Sequence, residues 1–340
     1  MFHVTILSAR KAEVLRTITG SVVAIAALAL TGGAIVQASD GASDSQARST
    51  LTIIAPAAVG GGWDGFSREA QKVMRAESIV NNPKVINIPG AGGTIGLSQF
   101  AQMKGEETTI MTTGGVMVGA IELNGKDETL DDVVPLARLS DDYSALVVPE
   151  DSPYQTLDDV VKAWQADPTG MSISGGSLGS IDHLLTGALA GEIGIDPEQA
   201  NYIAYSGGGE ALNSLLSKTT DFGMSGYNEI ADQVESGALR ALAISSPERI
   251  ETAPDLPTFK EQGVNVEMSN WRGFLAPPGI SNEAEQQLLN IIDELHASPE
   301  WQETVKRNSW TDAYMTGDEL DAFIEEETMK TEKIVDDLGL

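Results

Sequence analysis

The chain has 340 residues, room for two domains of ordinary size, and its 41% hydrophobic content supports packed cores rather than disorder. Its net charge of −29 argues against nucleic acid and anionic membrane surfaces as partners, though not against a small anion held by backbone dipoles. It contains no cysteine, which excludes disulfides, thiolate zinc sites, cysteine nucleophiles and lipid attachment through a cysteine.

The first segment reads as a secretory signal. Arg10, Lys11 and Arg16 form a basic start, residues 18–30 a short apolar stretch, and Val36-Gln-Ala38 a small-residue cleavage site. Interrupted by Thr31, Gly32 and Gly33, the apolar run falls short of the roughly 20 residues a membrane span needs. Residues 1–38 are therefore expected to be removed, leaving a polar, flexible mature N-terminus at 39–49.

From Leu51 onward, strand-like apolar runs alternate with helix-like segments, the pattern of an α/β protein with largely parallel sheets. Helices are expected at 66–74, capped by Asp64, at 94–103, at 156–164 with Thr156 as cap, at 210–216, 229–235 and 282–296, and as a long acidic one at 318–338. Residues 239–244 read as a strand. The turn-rich 149–153 looks like a crossing between domains, giving residues 50–145 plus 241–340 as one domain and 146–240 as the other.

The strand-like runs end repeatedly in glycine. This happens at Gly60-Gly61-Gly62, at Gly90-Ala-Gly-Gly93, at Gly114-Gly115, at Gly175-Gly-Ser-Leu-Gly179, at Gly207-Gly-Gly209 and at Gly226. Helices that start after such turns aim free N–H groups and partial positive charge outward, which suits an anion. In open α/β sheets ligands sit beyond the carboxyl ends of the strands. Several such turns facing one cleft would make an anion receptor built mostly from backbone.

The candidate ligand contacts follow from those turns. Gly61, Gly62, Trp63 and Asp64 form the first loop, where Asp64 is equally readable as a cap, with Arg68 one helical turn on as its structural partner. Ser174, Ser177, Gly179 and Ser180 form a matching loop in the second domain, followed by His183, which either meets the ligand or satisfies a neighbouring loop. Tyr205, Gly207 and Gly208 make a third loop, Thr113 and Gly114 a fourth, and Tyr227 could close the cleft. Arg272 could pair bidentately with a ligand carboxylate if it faces inward.

Enzyme readings fare worse. Gly175-Gly-Ser177-Leu-Gly179 fits a nucleophile elbow, but His183 lies on the same predicted helix and His296 has no convincing acidic partner in chain order. No P-loop is present, Ile95 breaks a dinucleotide fingerprint, and His pairs for metal catalysis are lacking. The reading is a binding protein with no catalytic residues, metal or cofactor.

Eight ordered motifs then carry a resemblance. They are Gly60-Gly-Gly-Trp-Asp64 with Pro56 and Arg68; Pro89-Gly-Ala-Gly-Gly-Thr-Ile-Gly96; Val148-Pro with Ser152-Pro-Tyr-Gln-Thr-Leu-Asp-Asp159; Ser174-Gly-Gly-Ser-Leu-Gly-Ser-Ile-Asp-His183; Tyr205-Ser-Gly-Gly-Gly-Glu-Ala211; Gly237-Ala-Leu-Arg-Ala-Leu-Ala243; Pro254-Asp-Leu-Pro-Thr258; and Trp271-Arg-Gly-Phe-Leu-Ala-Pro-Pro-Gly279. From Leu51 to the C-terminus the chain resembles the extracytoplasmic solute receptors of tripartite tricarboxylate transporters, the Bug-type binding proteins. The resemblance implies a periplasmic-binding-protein fold, two α/β domains closing like a flytrap on a small organic acid in the cleft between them. It also implies delivery to membrane permease subunits, a periplasmic or extracytoplasmic location and a monomer. The Gly-Gly-Gly-Trp-Asp form points to citrate or another tricarboxylate. Dicarboxylates, aromatic carboxylates and a role as a sensor subunit remain open. Two departures bear on the pocket: many relatives carry a small residue at the position of Trp63 and an apolar one at that of Arg272.

Overall fold

The computed structural model describes residues 46–125, 128–205 and 208–340. The leader read at 1–38 and the candidate Gly207 lie outside the described residues. The stretch read as loose up to Ser49 is pinned from Arg48 on: its guanidinium grips both oxygens of Glu294 and its carbonyl accepts from the Asn81 N–H at 2.7 Å.

The chain opens with β1 (Leu51–Ala55), α1 (Gly62–Ala76), β2 (Pro83–Asn87), α2 (Thr94–Ala101), β3 (Thr109–Gly114), α3 (Gly115–Asn124) and β4 (Val134–Asp141). It continues with β5 (Ser144–Pro149), α4 (Leu157–Ala166), β6 (Ser172–Gly175), α5 (Ile181–Glu192), β7 (Asn201–Ala204), α6 (Gly208–Leu216), β8 (Phe222–Gly226), α7 (Tyr227–Glu235) and β9 (Leu239–Ile244). It closes with β10 (Arg272–Ala276), α8 (Asn282–Ala297), α9 (Pro299–Arg307), β11 (Thr311–Met315) and α10 (Gly317–Asp337).

These strands make two sheets, ordered β11-β4-β10-β3-β1-β2 and β7-β6-β8-β5-β9. Each has a parallel trio, with β1 between β3 and β2 and with β6 between β7 and β8. Each also takes an antiparallel strand against that trio, β10 beside β3 and β5 beside β8. The sheets are therefore mixed. β5 and β10 are the strands by which the chain enters the second half and returns to the first, and each runs opposite to the βαβ units it joins.

The crossing lies earlier than the turn at 149–153. Asp142 and Asn270 exchange backbone hydrogen bonds at 3.3 and 2.7 Å, and Tyr143 bridges Ser269 antiparallel. By Ser144 the chain already belongs to the five-stranded sheet, so the turn at 149–153 is an ordinary β5–α4 connection. β9 lies at the edge of that sheet, and Phe259, Val266 and Met268 fill the core beneath it, although the sequence pattern had set residues from 241 onward in the first domain.

Local chemistry explains the helix starts. Thr156 and Asp159 form a reciprocal capping box on α4, as expected. Asp64, however, is not the cap of α1; Gly61 is, and Asp64 reaches back from the first turn to the Gly60 N–H at 2.8 Å. The first half packs Phe66 against Phe274, Trp301 and Trp310 on one face of its sheet. Leu97, Phe100, Met117 and Ile121 pack on the other. α10 serves both halves. Leu320 and Ile324 sit in the first core, while Ile334, Val335 and Leu338 sit in the second.

Candidate functional site

The carboxyl ends of β3 and β8 and the amino end of β5 meet at the crossing, and the site is built there around Arg272. Arg272 begins β10, opposite Gly114 on β3 and Ser140 on β4. The residue is 6% exposed, and its guanidinium lies 5.5 Å above the Trp310 ring. Nη2 is 3.5 Å from the position a Cβ on Gly62 would take, at the first residue of α1. It donates to Asp142 Oδ2 at a long 3.3 Å, and its other N–H groups have no hydrogen-bond partner among the described residues. A buried guanidinium with five donors and one long bond beside a helix N-terminus is built to accept an anion.

Adjacent carboxylates at the crossing face opposite ways, as strand alternation requires. Asp141 pairs with Arg138 and accepts from the Tyr143 hydroxyl at 3.1 Å, while Arg138 lies 4.0 Å over the Phe323 ring of α10. Asp142 turns to Arg272. Burial pushes its carboxyl up to about 6, with the Arg272 charge opposing the rise. Asp182, in the first turn of α5, accepts from the Gly176 N–H and the Ser144 hydroxyl, each at 3.0 Å, and burial pushes it to about 7. Glu229, in the first turn of α7, lies against Gly208 at the start of α6, and its pKa too is raised by burial. No three His, Asp or Glu side chains among the described residues are grouped to hold a metal ion.

The candidates from the glycine turns divide into two sets. Gly62 and Gly114 lie beside Arg272, and Gly61 precedes Gly62 as the cap of α1. Gly208 and Tyr227 lie at the helix starts across the crossing, where the Tyr227 N–H donates to the Tyr143 carbonyl at 2.8 Å and its ring is buried. Ser177 is exposed on its loop. The others have structural partners. Asp64 accepts from Gly60, Arg68 and Asn87; burial would raise its pKa, but these donors outweigh it and hold the carboxyl at about 2. Trp63 packs into the first core, its ring against Gly93, where a Cβ would come within 2.6 Å. Thr113 is buried, with its hydroxyl 3.4 Å from the Met117 sulfur. Ser174 is buried inside β6. Ser180 caps α5, Tyr205 donates to Ser214 at 2.6 Å, and the Gly179 N–H donates to His183 Nδ1 at 3.1 Å. His183 therefore satisfies its own loop, lies tilted against the Tyr202 ring at 4.5 Å, and is held neutral by burial, which lowers its pKa to about 4. Gly179 itself packs on α3, its carbonyl 2.6 Å from where a Cβ on Gly119 would sit.

Sequence reading missed Asp142, Asp182 and Glu229. The signal for Asp142 was present: Asp141-Asp142 and Arg138 are the charges in the strand-like stretch from Leu136 to Val148, and with one arginine for two carboxylates the second requires a partner from elsewhere. His296, read as lacking an acidic partner in chain order, meets Asp312, which follows it in the chain, at 2.9 Å and stacks on Tyr314, away from Ser177 in the other half.

A cavity of about 690 Å³ opens beside Trp310, lined by Tyr143, Ser246 and Arg249 from one half and by Lys306, Trp310 and Asp312 from the other. Another, of about 610 Å³, lies between α3 and α10 and is lined by none of the candidates.

Two α/β halves joined by a pair of crossing segments, with helix starts and a buried arginine at the crossing, define a two-domain solute receptor. The description "Tripartite tricarboxylate transporter family receptor" belongs to a family model that matches residues 67–340, and the chain belongs to that family of substrate-binding receptors, which are not enzymes. It is 26% identical to Protein BugT of Bordetella pertussis over 302 residues, 87% of this chain and 91% of that one. Its fold matches a TctC solute binding protein from Polaromonas, with a TM-score of 0.71, 24% identity, and 84% of this chain and 98% of that one covered. It also matches MatC from Rhodopseudomonas palustris with bound malate, with a TM-score of 0.70, 21% identity, and 84% and 98% covered.

Proposed function

We propose that the chain is a secreted, monomeric extracytoplasmic receptor that binds a small organic acid and delivers it to the permease subunits of a tripartite transporter. One carboxylate sits on Arg272 and the N–H groups at the start of α1. The observation that carries this is the buried guanidinium with a single long hydrogen bond beside Gly62. The malate held by a relative of the same fold supports the ligand class. The halves pivot at Asp142–Tyr143 and Ser269–Asn270, and closure brings the starts of α6 and α7 towards the acid, shifting the population towards the form the permease accepts. Citrate or another tricarboxylate is the ligand the resemblance implies, with dicarboxylates and aromatic acids as the alternatives.

Thermal melts of the protein with mono-, di- and tricarboxylates test the reading. A bound acid at 100 times its Kd adds about 2.7 kcal/mol of stability. A shift with at least one class of acid is expected; no shift with any carboxylate contradicts the proposal.

A further inference from the structure

Away from the crossing, the groove of about 610 Å³ between α3 and α10 has an apolar floor. Val118 and Ile121 of α3, Leu130, and Ile324 of α10 form it, all buried. On α10 the lining runs from Asp321 through Ile324, Glu325 and Thr328 to Met329, one face of the helix over about 12 Å. That is the length of a short peptide segment. Met329 stands 58% exposed at its end, an adaptable apolar side chain left facing solvent.

The rim carries one sign of charge. Glu122, Asp131, Asp321 and Glu325 line the groove, and among the described residues no lysine or arginine does. Asp131, Asp321 and Glu325 are exposed and make no ion pair with a described residue. The contrast lies within α10 itself: outside the groove, Glu327 pairs with Lys330 and Asp337 with Lys333. Unneutralised carboxylates around an apolar floor repel one another and fit an occupant that brings cations and an apolar side chain together. The walls also join the halves. Helix α3 holds Gly119 against the Gly179 carbonyl and α10 enters both cores, so an occupant seated between them feels how the halves are set.

We propose that this groove is a docking surface for a partner protein, which inserts a short segment carrying an apolar side chain flanked by lysine or arginine. The apolar side chain covers Val118, Ile121 and Ile324 beside Met329, and the cations meet Asp131 from one wall and Asp321 and Glu325 from α10. Docking here uses none of the residues around Arg272, so it and acid binding can be measured apart.

The test is calorimetric titration of the full chain, at physiological ionic strength, with short capped peptides in which leucine or phenylalanine is flanked by lysines or arginines. Beside them run the same peptides with glutamate for the cations or serine for the apolar residue, and butylammonium. The basic apolar peptides should bind, and the acidic and serine forms about 10-fold more weakly or not at all. Asp321→Asn with Glu325→Gln should weaken the basic peptides about 5- to 10-fold, while Glu77→Gln with Glu106→Gln, which removes the same charge from exposed positions outside the groove, should change them by less than about 2-fold. Met329→Ser, at an exposed position, should weaken the leucine and phenylalanine peptides about 3-fold or more and leave the serine form unchanged. Equal losses in the two charge variants would make the attraction one of net charge and overturn the groove. Butylammonium binding as tightly as the peptides, with the same response to the variants, would make the occupant a small cation and overturn the partner protein. Binding of no basic peptide would overturn the proposal and leave the acid receptor standing.

Discussion

Asp64 and His183 show how a residue at a binding loop can hold the loop rather than the ligand. Asp64 closes the first glycine turn through Gly60, Arg68 and Asn87. Its carboxyl is held at about 2 against an ordinary 3.8, so its contribution is complete above pH 4 and is lost as the pH falls towards 2. Asp64→Asn should cost about 2 kcal/mol at pH 7, and wild type and variant should converge near pH 2, as read by urea unfolding. His183 behaves in the opposite chemical sense with the same direction in pH. Burial lowers its pKa from 6.5 to about 4, so the folded chain resists a proton the unfolded chain accepts, and stability is lost as pH falls from 6.5 through 4. His183→Phe loses the Gly179 hydrogen bond, so it should be less stable at pH 7.5 and recover ground on wild type by pH 5. A constant difference across that range would show that His183 is not buried neutral.

Helices and strands explain why the glycine turns could be found in the sequence but not sorted. Helix α3 begins at Gly114-Gly115 and carries Gly119 against the Gly179 carbonyl of the other half. Gly119→Ala should raise intrinsic helix propensity yet separate this contact, lowering the melting temperature and increasing the radius of gyration seen by small-angle scattering. An unchanged radius would show that the contact does not set the spacing of the halves. Strand runs, the Thr156 box and the run of glycines are local signals, and so were readable. Which N–H groups remain free is decided by partners far along the chain. Gly114 is needed because a Cβ there would strike the Trp271 carbonyl, and Gly179 gives its N–H to His183. Helix α9 was missed because it is short and charged, held in place by Trp301 packing on Phe66. Asp142 meets an arginine 130 positions later, a pairing no local pattern contains.

For the molecule as a whole, α10 is the element that spans both cores. Leu320→Ala and Leu338→Ala should each destabilise by about 2–5 kcal/mol. Because they sit in different cores, their effects on ligand affinity should be separable, with the mutation that loosens one end of α10 easing the motion about Asp142 and Asn270. The chain's charge of −29 contrasts with its single buried arginine at the crossing. The global field repels an organic acid, so capture depends on the local geometry of Arg272 and the start of α1. That dependence is measured directly by the affinity of Arg272→Gln for the tightest-binding acid, beside wild type. The account predicts a loss of about 100-fold or more, together with some fall in melting temperature because Asp142 is left buried without its cation, so the affinities are compared at a temperature where both proteins are folded. Affinity within a few-fold of wild type would contradict it and place the carboxylate elsewhere in the molecule.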